Sequence, residues 1–161
     1  MLLEAMRQVP EVQAIVVGEA LFGETEYAER LRAIANQPEL AGRVHWLGFR
    51  NDIPALMSAC DLVLHTSTEP EPFGRVIIEG QLAGRPVIAT AAGGAIELIE
   101  DGVTGRLVPP EDAAALAQVM GELLKQPDLA QKIANQGKMS AQTHFSLEGM
   151  LKAFDQALIL D

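Results

Sequence analysis

Two carboxylates, Glu71 and Glu79, stand eight positions apart in the stretch Glu71-Pro72-Phe73-Gly74-Arg75-Val76-Ile77-Ile78-Glu79. A Phe-Gly turn running into Val-Ile-Ile predicts a loop around Glu71 and a helix that begins near Arg75, with Glu79 in its second turn. One acid then faces the loop while the other looks along the helix toward its N-terminus. That terminus offers free backbone N–H groups and a partial positive charge, which suits a phosphate. Acids beside it are placed to accept hydrogen bonds from sugar hydroxyls. The competing reading is an acidic loop and a solvated helix face.

The elements that must position these acids read as alternating helix and strand. Leu2, Leu3, Met6 and Val9 predict a short amphipathic helix ending at Pro10. Strands are predicted at Val12–Val17, Arg43–Leu47, Leu62–His65, Pro86–Ala89 and Arg106–Val108, with helices at Glu26–Ala35 and Arg75–Ala83. Asp52 predicts an N-cap for a helix with Pro54 in its first turn that runs to Cys60. Leu116, Val119, Met120 and Leu123 recur at helical spacing, and Leu129 and Ile133 mark a further helix opened at Pro127. Ser146 predicts the cap of a last helix carrying Met150, Leu151, Phe154, Ala157 and Leu158. Short apolar strands between helices argue a parallel sheet covered on both faces. In such a sheet, ligands bind beyond the carboxyl ends of the strands. The loops there are Gly18-Glu19, Gly48–Asn51, Ser67–Gly74 and Ala91–Gly94, where glycines and polar residues concentrate.

Other patterns carry less. Gly18 to Thr25 has P-loop spacing but holds Glu24 where the phosphate lysine belongs, and a carboxylate there repels a phosphate. One Cys and three scattered His give no legible metal site. His45 and His144 read as structural, whereas His65 ends a strand beside the motif loop. Gly18, Gly93 and Gly94 are open to a plain turn reading, and Glu97 reads as a first-turn acid that favours its own helix. The 161 residues make one domain by size, 48% hydrophobic and too apolar for disorder. A net charge of -10 disfavours nucleic acid, yet backbone amides and a few cations suffice for a diphosphate. Cys60 reads as a buried thiol in a reducing compartment, and no run approaches a membrane span.

The motif continues with Gly84-Arg85-Pro86-Val87-Ile88-Ala89-Thr90, then Gly93-Gly94, Glu97, and Asp101-Gly102-Val103-Thr104-Gly105-Arg106-Leu107-Val108-Pro109-Pro110. This block, from about Ser67 to Pro110, resembles the C-terminal, nucleotide-sugar-binding domain of the retaining glycosyltransferases with the GT-B fold, known as group 1 or family 4. Val16-Val17-Gly18, Trp46-Leu47-Gly48-Phe49 and Asp61 to Ser67 fit the same pattern, so the resemblance covers nearly the whole chain. It implies an α/β fold: an open, mostly parallel Rossmann-like sheet of about five strands with helices on both faces, lacking its first strand.

The resemblance also implies roles. Glu79 matches the acid that holds the donor ribose. Glu71 matches the acid at the donor sugar and is the catalytic candidate. Phe73, Gly74, Arg75 and Val76 form the turn whose amides meet sugar and phosphate. Gly48 and Arg50, in the loop to Asn51, lie where the base is held. Gly18 lies at a tight strand-end turn near the donor, and Ser67 belongs to the same donor-binding set. The implied substrate is a UDP-, GDP- or ADP-sugar, used without cofactor or bound metal by a cytoplasmic hexosyltransferase.

Departures from the family pattern shape the remaining expectations. The family's first strand, its Arg and Lys for the diphosphate, and the N-terminal acceptor domain all precede the match to Met1. The chain is therefore expected to be the donor-binding half of an enzyme and inactive alone, with any membrane contact made only through the missing domain. Arg75 is a partial substitute for the absent cations. Gly80-Gln81-Leu82 stands where Ala-Met-Ala is more usual. The absent strand belongs between the strands ending at Gly18 and near Ser67, so open edges and an apolar tail at Ala157-Leu158-Ile159-Leu160 predict self-association, most simply a two-fold dimer. A non-catalytic binding or assembly module is the alternative. A nucleotide-sugar epimerase is a third reading, against which the E-x7-E context argues.

Overall fold

The computed structural model describes residues 1–21, 23–146 and 149. The first unit runs α1 (Leu2–Gln8), β1 (Ala14–Val16), α2 (Thr25–Ala35), β2 (Val44–Trp46) and α3 (Ile53–Ala59). The second runs β3 (Val63–His65), α4 (Arg75–Leu82), β4 (Val87–Thr90), α5 (Ala95–Leu98) and β5 (Arg106–Val108), closed by α6 (Ala113–Lys125) and α7 (Pro127–His144). All pairings are parallel, in the order β1-β2 and β3-β4-β5. The five strands thus form two sheets rather than one. β1 and β3 each pair on one side only among the described residues, which leaves the open inner edges that the expected gap requires.

Alternation along the strands explains the layers. Leu62, Leu64, Ile88 and Val108 pack with Ala5, Val9, Leu116, Val119, Met120, Leu123 and Ile133, so α1, α6 and part of α7 cover one face. Val63, Val87, Ala89 and Leu107 pack with Ile77, Ile78, Ala95, Leu98 and Ala141 on the other. β4 is buried along its whole length, as a central parallel strand covered on both faces must be. A third cluster of Leu3, Met6, Ala14, Ala35 and Leu40, with Val44 and Trp46 against it, holds the two-stranded sheet. Helix α1 contributes to both packing units and so joins them.

The polar contacts that lock these layers are long in sequence range. The Arg43 guanidinium donates to the carbonyls of Met6 at 2.9 Å, Val9 at 2.6 Å, Val12 at 3.0 Å and Glu39 at 2.9 Å. A cation at the C-terminus of α1 adds a second bond to the Met6 and Val9 carbonyls, which also accept the N–H groups of Val9 and Val12, and suits the negative end of the helix dipole. On the other side, α4 lies so close to its sheet that a Cβ on Gly80 would fall 2.9 Å from methyls of both Val63 and Val87. Two β-branched valines beneath the helix leave no room for alanine, which explains the departure at that position. Gln81, buried beside it, donates to the Thr104 carbonyl at 3.1 Å and pins the turn before β5.

Four expectations need correction or limits. Asp52 occupies the N-cap position of α3, but its carboxylate makes no capping bond. Arg50 takes it instead, with Nε–Oδ1 at 2.8 Å and Nη2–Oδ2 at 2.6 Å, because a bidentate charged pair is stronger than one bond to a backbone N–H. Cys60 is only partly buried, its thiol donating to the Leu56 carbonyl at 3.3 Å. The first strand is shorter than Val12–Val17, since only Ala14–Val16 finds a partner in β2. Ser146 Oγ accepts the Gly149 N–H at 3.0 Å, the bond expected of an N-cap, while the apolar residues of that last helix and the tail lie outside the described residues. No described helix is long and apolar enough to cross a membrane.

Candidate functional site

Strand β3 ends at His65 and the chain then turns outward toward α4. The Thr90 hydroxyl at the end of β4 donates to the Ser67 carbonyl at 2.6 Å, so the exits of two adjacent strands are tied together. Ser67 itself uses its hydroxyl on the Glu69 carbonyl at 2.9 Å, which shapes the loop rather than reaching outward. At Glu71 the loop meets the turn after β4, and Gly94 donates its N–H to the Glu71 carbonyl at 2.8 Å.

The two glycines of that turn are there for space. A Cβ on Gly93 would lie 2.2 Å from the Glu71 carbonyl oxygen, and one on Gly94 would lie 2.7 Å from that of Pro72. Gly93 also has φ +54, in the left-handed region. The plain turn reading of this pair therefore falls short: backbone is packed against backbone, and the acid-bearing loop is the neighbour. Nothing in the local sequence announced that contact except the two adjacent glycines.

Helix α4 begins at Gly74, whose φ of +80 turns the loop into the helix. A glycine cap has no side chain to bond the first-turn N–H groups, and no other side chain among the described residues takes that role. Arg75 and Val76 are the first helical residues and both are exposed, as is Phe73. The Phe73 ring meets Phe145 edge to face at 6.1 Å, which fastens the loop to the end of α7. Glu79 stands one turn on, its Oε1 3.3 Å from Arg75 Nη2, so the carboxylate does reach back toward the helix N-terminus. Arg75 is 83% exposed. A cation in the first turn opposes the helix dipole, and Arg preceding Glu is the weaker order for such a pair. Neither feature serves the stability of α4.

Glu71 is differently held. His65 Nε2 lies 2.5 Å from Glu71 Oε2, with the imidazole 9% and the carboxylate 46% exposed. The other carboxylate oxygens, Glu71 Oε1 and Glu79 Oε2, accept no hydrogen bond from the described residues.

The remaining candidates form a second group. Gly18, with φ +122, donates its N–H to the Gly48 carbonyl at 2.9 Å, and Gly48 has φ +62. The exits of β1 and β2 are thus joined as those of β3 and β4 are. Glu19 Oε1 accepts weakly from the Phe49 N–H at 3.4 Å. Arg50 is engaged by Asp52, whose hydrogen bonds and charge raise its pKa, while the same hydrogen bond to Arg50 holds the Asp52 carboxyl below the usual range. No hydrogen bond or ion pair among the described residues links this group to the Ser67–Val76 loop. Both groups stand at the carboxyl ends of parallel strands, where open α/β sheets place their ligands. An open groove between the end of α1 and α6, lined by Pro10, Glu11, Gln118 and Glu122, shares no residue with either group. Glu97 sits in the first turn of α5, as expected of a helix-favouring acid.

Known proteins are similar to this chain in sequence and fold. The chain is 29% identical over 157 residues to a lipopolysaccharide core biosynthesis glycosyltransferase of Rhizobium meliloti, covering 98% of this chain and 44% of the relative. It is 35% identical over 125 residues to a D-inositol 3-phosphate glycosyltransferase of a Mycobacterium species, covering 76% of this chain and 28% of the relative. Among solved structures, Anabaena Alr3699/HepE in complex with UDP superposes with a TM-score of 0.94 at 44% identity, over 98% of this chain and 43% of that one. The same protein has been solved with UDP-glucose, with a TM-score of 0.92. The chain therefore spans less than half the length of these relatives. The model of the group 1 glycosyl transferases matches residues 1–140, a span that takes in both pairs of strand-end loops and the acid-bearing helix, and the chain belongs to that family.

Proposed function

We propose that this chain is the donor-binding half of a retaining, family-4 glycosyltransferase, one that moves a hexosyl group from a nucleotide diphosphate to an acceptor hydroxyl. The observation that carries the reading is the start of α4. There an uncapped helix N-terminus, an exposed Arg75 set against the helix dipole, and two carboxylates with free oxygens occupy one loop and one helical turn. The free N–H groups and Arg75 suit the diphosphate. Glu79 takes the ribose hydroxyls and Glu71 those of the sugar. Charge stabilisation on the departing diphosphate is the main catalytic term. No side chain of the loop is placed as a general base, which fits attack from the leaving-group face assisted by the departing phosphate. The acceptor site belongs to the part of the relatives that this chain does not match, so the chain alone binds donor without transferring it.

The test is calorimetric titration of the chain with UDP, GDP and ADP. A relative of 44% identity holds UDP and UDP-glucose, which makes the uridine nucleotide the first to try. Saturable binding of one of them, weakened by Glu79→Ala, is the expected result. Silence across all three removes the donor-binding reading and leaves an assembly module built on the same fold.

A further inference from the structure

Glu71 is the acid of the motif that no helix or strand carries. A carboxylate on a loop keeps a fixed geometry only if something holds it. The backbone of Glu71 is held by the Gly94 N–H and by contact with Gly93. Among the described residues its side chain is held by one group, His65.

That histidine is costly where it stands. It is the last residue of β3, it pairs in register with Ala89, and the inward residues around it are apolar apart from Thr90 at the end of β4, whose hydroxyl is bonded to the Ser67 carbonyl. Its small neighbour Ala89 leaves room for the ring. Nε2 meets Glu71 Oε2 at 2.5 Å, but Nδ1 is buried with no hydrogen-bond partner among the described residues. With Nε2 donating to the carboxylate, the neutral ring leaves the Nδ1 lone pair unsatisfied. A buried polar atom without a partner is a net loss relative to an apolar side chain of the same size. Stability of the sheet thus gives no reason for histidine here. The bond to Glu71 does.

We infer that His65 is the positioning residue of the donor-sugar site: it fixes the Glu71 carboxylate through Oε2 and leaves Oε1 as the acceptor for a hydroxyl of the transferred sugar. The inference rests on the donor-binding reading above and adds to it a division of labour between the two oxygens. His65 does not touch the substrate in this scheme. It acts on the sugar half of the donor and not on the nucleotide half.

That separation gives the test. UDP and UDP-glucose are titrated into the wild-type chain, His65→Ala, His65→Gln and His65→Leu. His65→Ala lowers affinity for UDP-glucose by about tenfold, the scale of one charge-assisted hydrogen bond, and leaves affinity for UDP within about twofold. Gln, whose amide can donate to the same oxygen, recovers most of the loss. Leu, which fills the volume without a donor, does not, and it carries the comparison if the alanine variant fails to fold. In parallel, the imidazole nitrogens of His65 are observed by long-range ¹H–¹⁵N correlation with and without Glu71→Gln. The expected result is a ring protonated on Nε2 whose Nε2 resonance moves on that substitution. An unchanged ratio of UDP-glucose to UDP affinity in His65→Ala and His65→Leu overturns the inference while leaving donor binding intact. So does a His65 resonance indifferent to Glu71→Gln. Absence of binding by the wild-type chain overturns the donor-binding reading itself, and the sugar role of His65 goes with it.

Discussion

Two cation–carboxylate clusters belong to the three-stranded sheet, and they are built to opposite ends. At the entry of β5, Arg106 donates to Glu122 of α6 at 2.7 Å and to Asp101 at 3.3 Å, while Asp101 also accepts the Leu107 N–H at 2.8 Å. Arg106 is 20% exposed. Burial draws its pKa down, but the hydrogen bond and charge of Glu122, followed by those of Asp101, outweigh burial and raise it. At the exit of β3, Arg75 is exposed and only loosely paired with Glu79, at 3.3 Å, and Glu71 has spent one oxygen and kept the other. In the first cluster the cation is largely buried and bonded to two acids. The second leaves a cation and two acceptors open, around the start of a helix whose stability they do not serve. The helices show the same division. The N-terminus of α6 is capped by Asp112, which accepts the Ala115 N–H at 2.8 Å, whereas α4 begins on a bare glycine. Exposed charge that violates local preference is where function is to be sought.

The largest expected effect comes from the clamp under the open cluster. Gly93→Ala forces a Cβ to within 2.2 Å of the Glu71 carbonyl oxygen and places alanine at φ +54. The loop must move, at a cost of about 3 kcal/mol in stability. Urea denaturation measures the first effect and UDP-glucose titration the displacement of Glu71. A variant with wild-type stability and affinity would show that the loop is not held there.

Next in size is the exchange of arginines between clusters. Arg106→Ala strips the partly buried Glu122 and the exposed Asp101 of their cation, at about 1–3 kcal/mol, and leaves nucleotide affinity unchanged. Arg75→Ala removes an exposed pair and an unfavourable charge at a helix N-terminus, so stability stays within about 0.5 kcal/mol. Its UDP affinity falls several-fold. If Arg75 proves to matter for folding and not for UDP, the contrast between the clusters collapses. A smaller effect of opposite sign is expected at Gly121, inside α6, where an added Cβ meets nothing within 4 Å. Gly121→Ala raises stability by about 1 kcal/mol, read as an increase in the denaturation midpoint.

What the sequence made legible follows range. The helices and strands that carry the motif stand where periodicity puts them, and the Glu71 loop, the Gly74 turn and the reach of Glu79 toward Arg75 follow from spacing within one element. Contacts between distant segments were not legible. Arg43 on the carbonyls of α1, Thr90 on Ser67, Gly80 over Val63 and Val87, and Gly93 against Glu71 each join residues from different elements. No local pattern distinguishes such an arginine, threonine or glycine from one in solvent or in an ordinary turn. His65 was visible only as a strand-end histidine near the loop. Its bond to Glu71 needed the fold. Asp52 misled for the reverse reason, because a nearer partner displaced the expected cap.

That displacement yields the smallest effect. Asp52 and Arg50 are exposed, and their bond is screened by water, so little stability resides in it. It is still visible by titration. The hydrogen bond from Arg50 lowers the folded-state pKa of Asp52 below its ordinary value near 3.9. A carboxyl whose folded pKa is depressed contributes stability above its unfolded value and loses it as pH falls through the folded one. The window therefore lies below about pH 4, and neutral pH leaves the contribution intact. In Arg50→Ala, the Asp52 carboxyl carbon should titrate at a higher pH than in the wild type, and the acid limb of stability should flatten slightly. The freed carboxylate is also released for the vacant N-cap of α3, which would partly offset the upward movement. A midpoint that does not rise would mean either that the cap fully replaces the guanidinium or that the Arg50–Asp52 pair does not hold in solution.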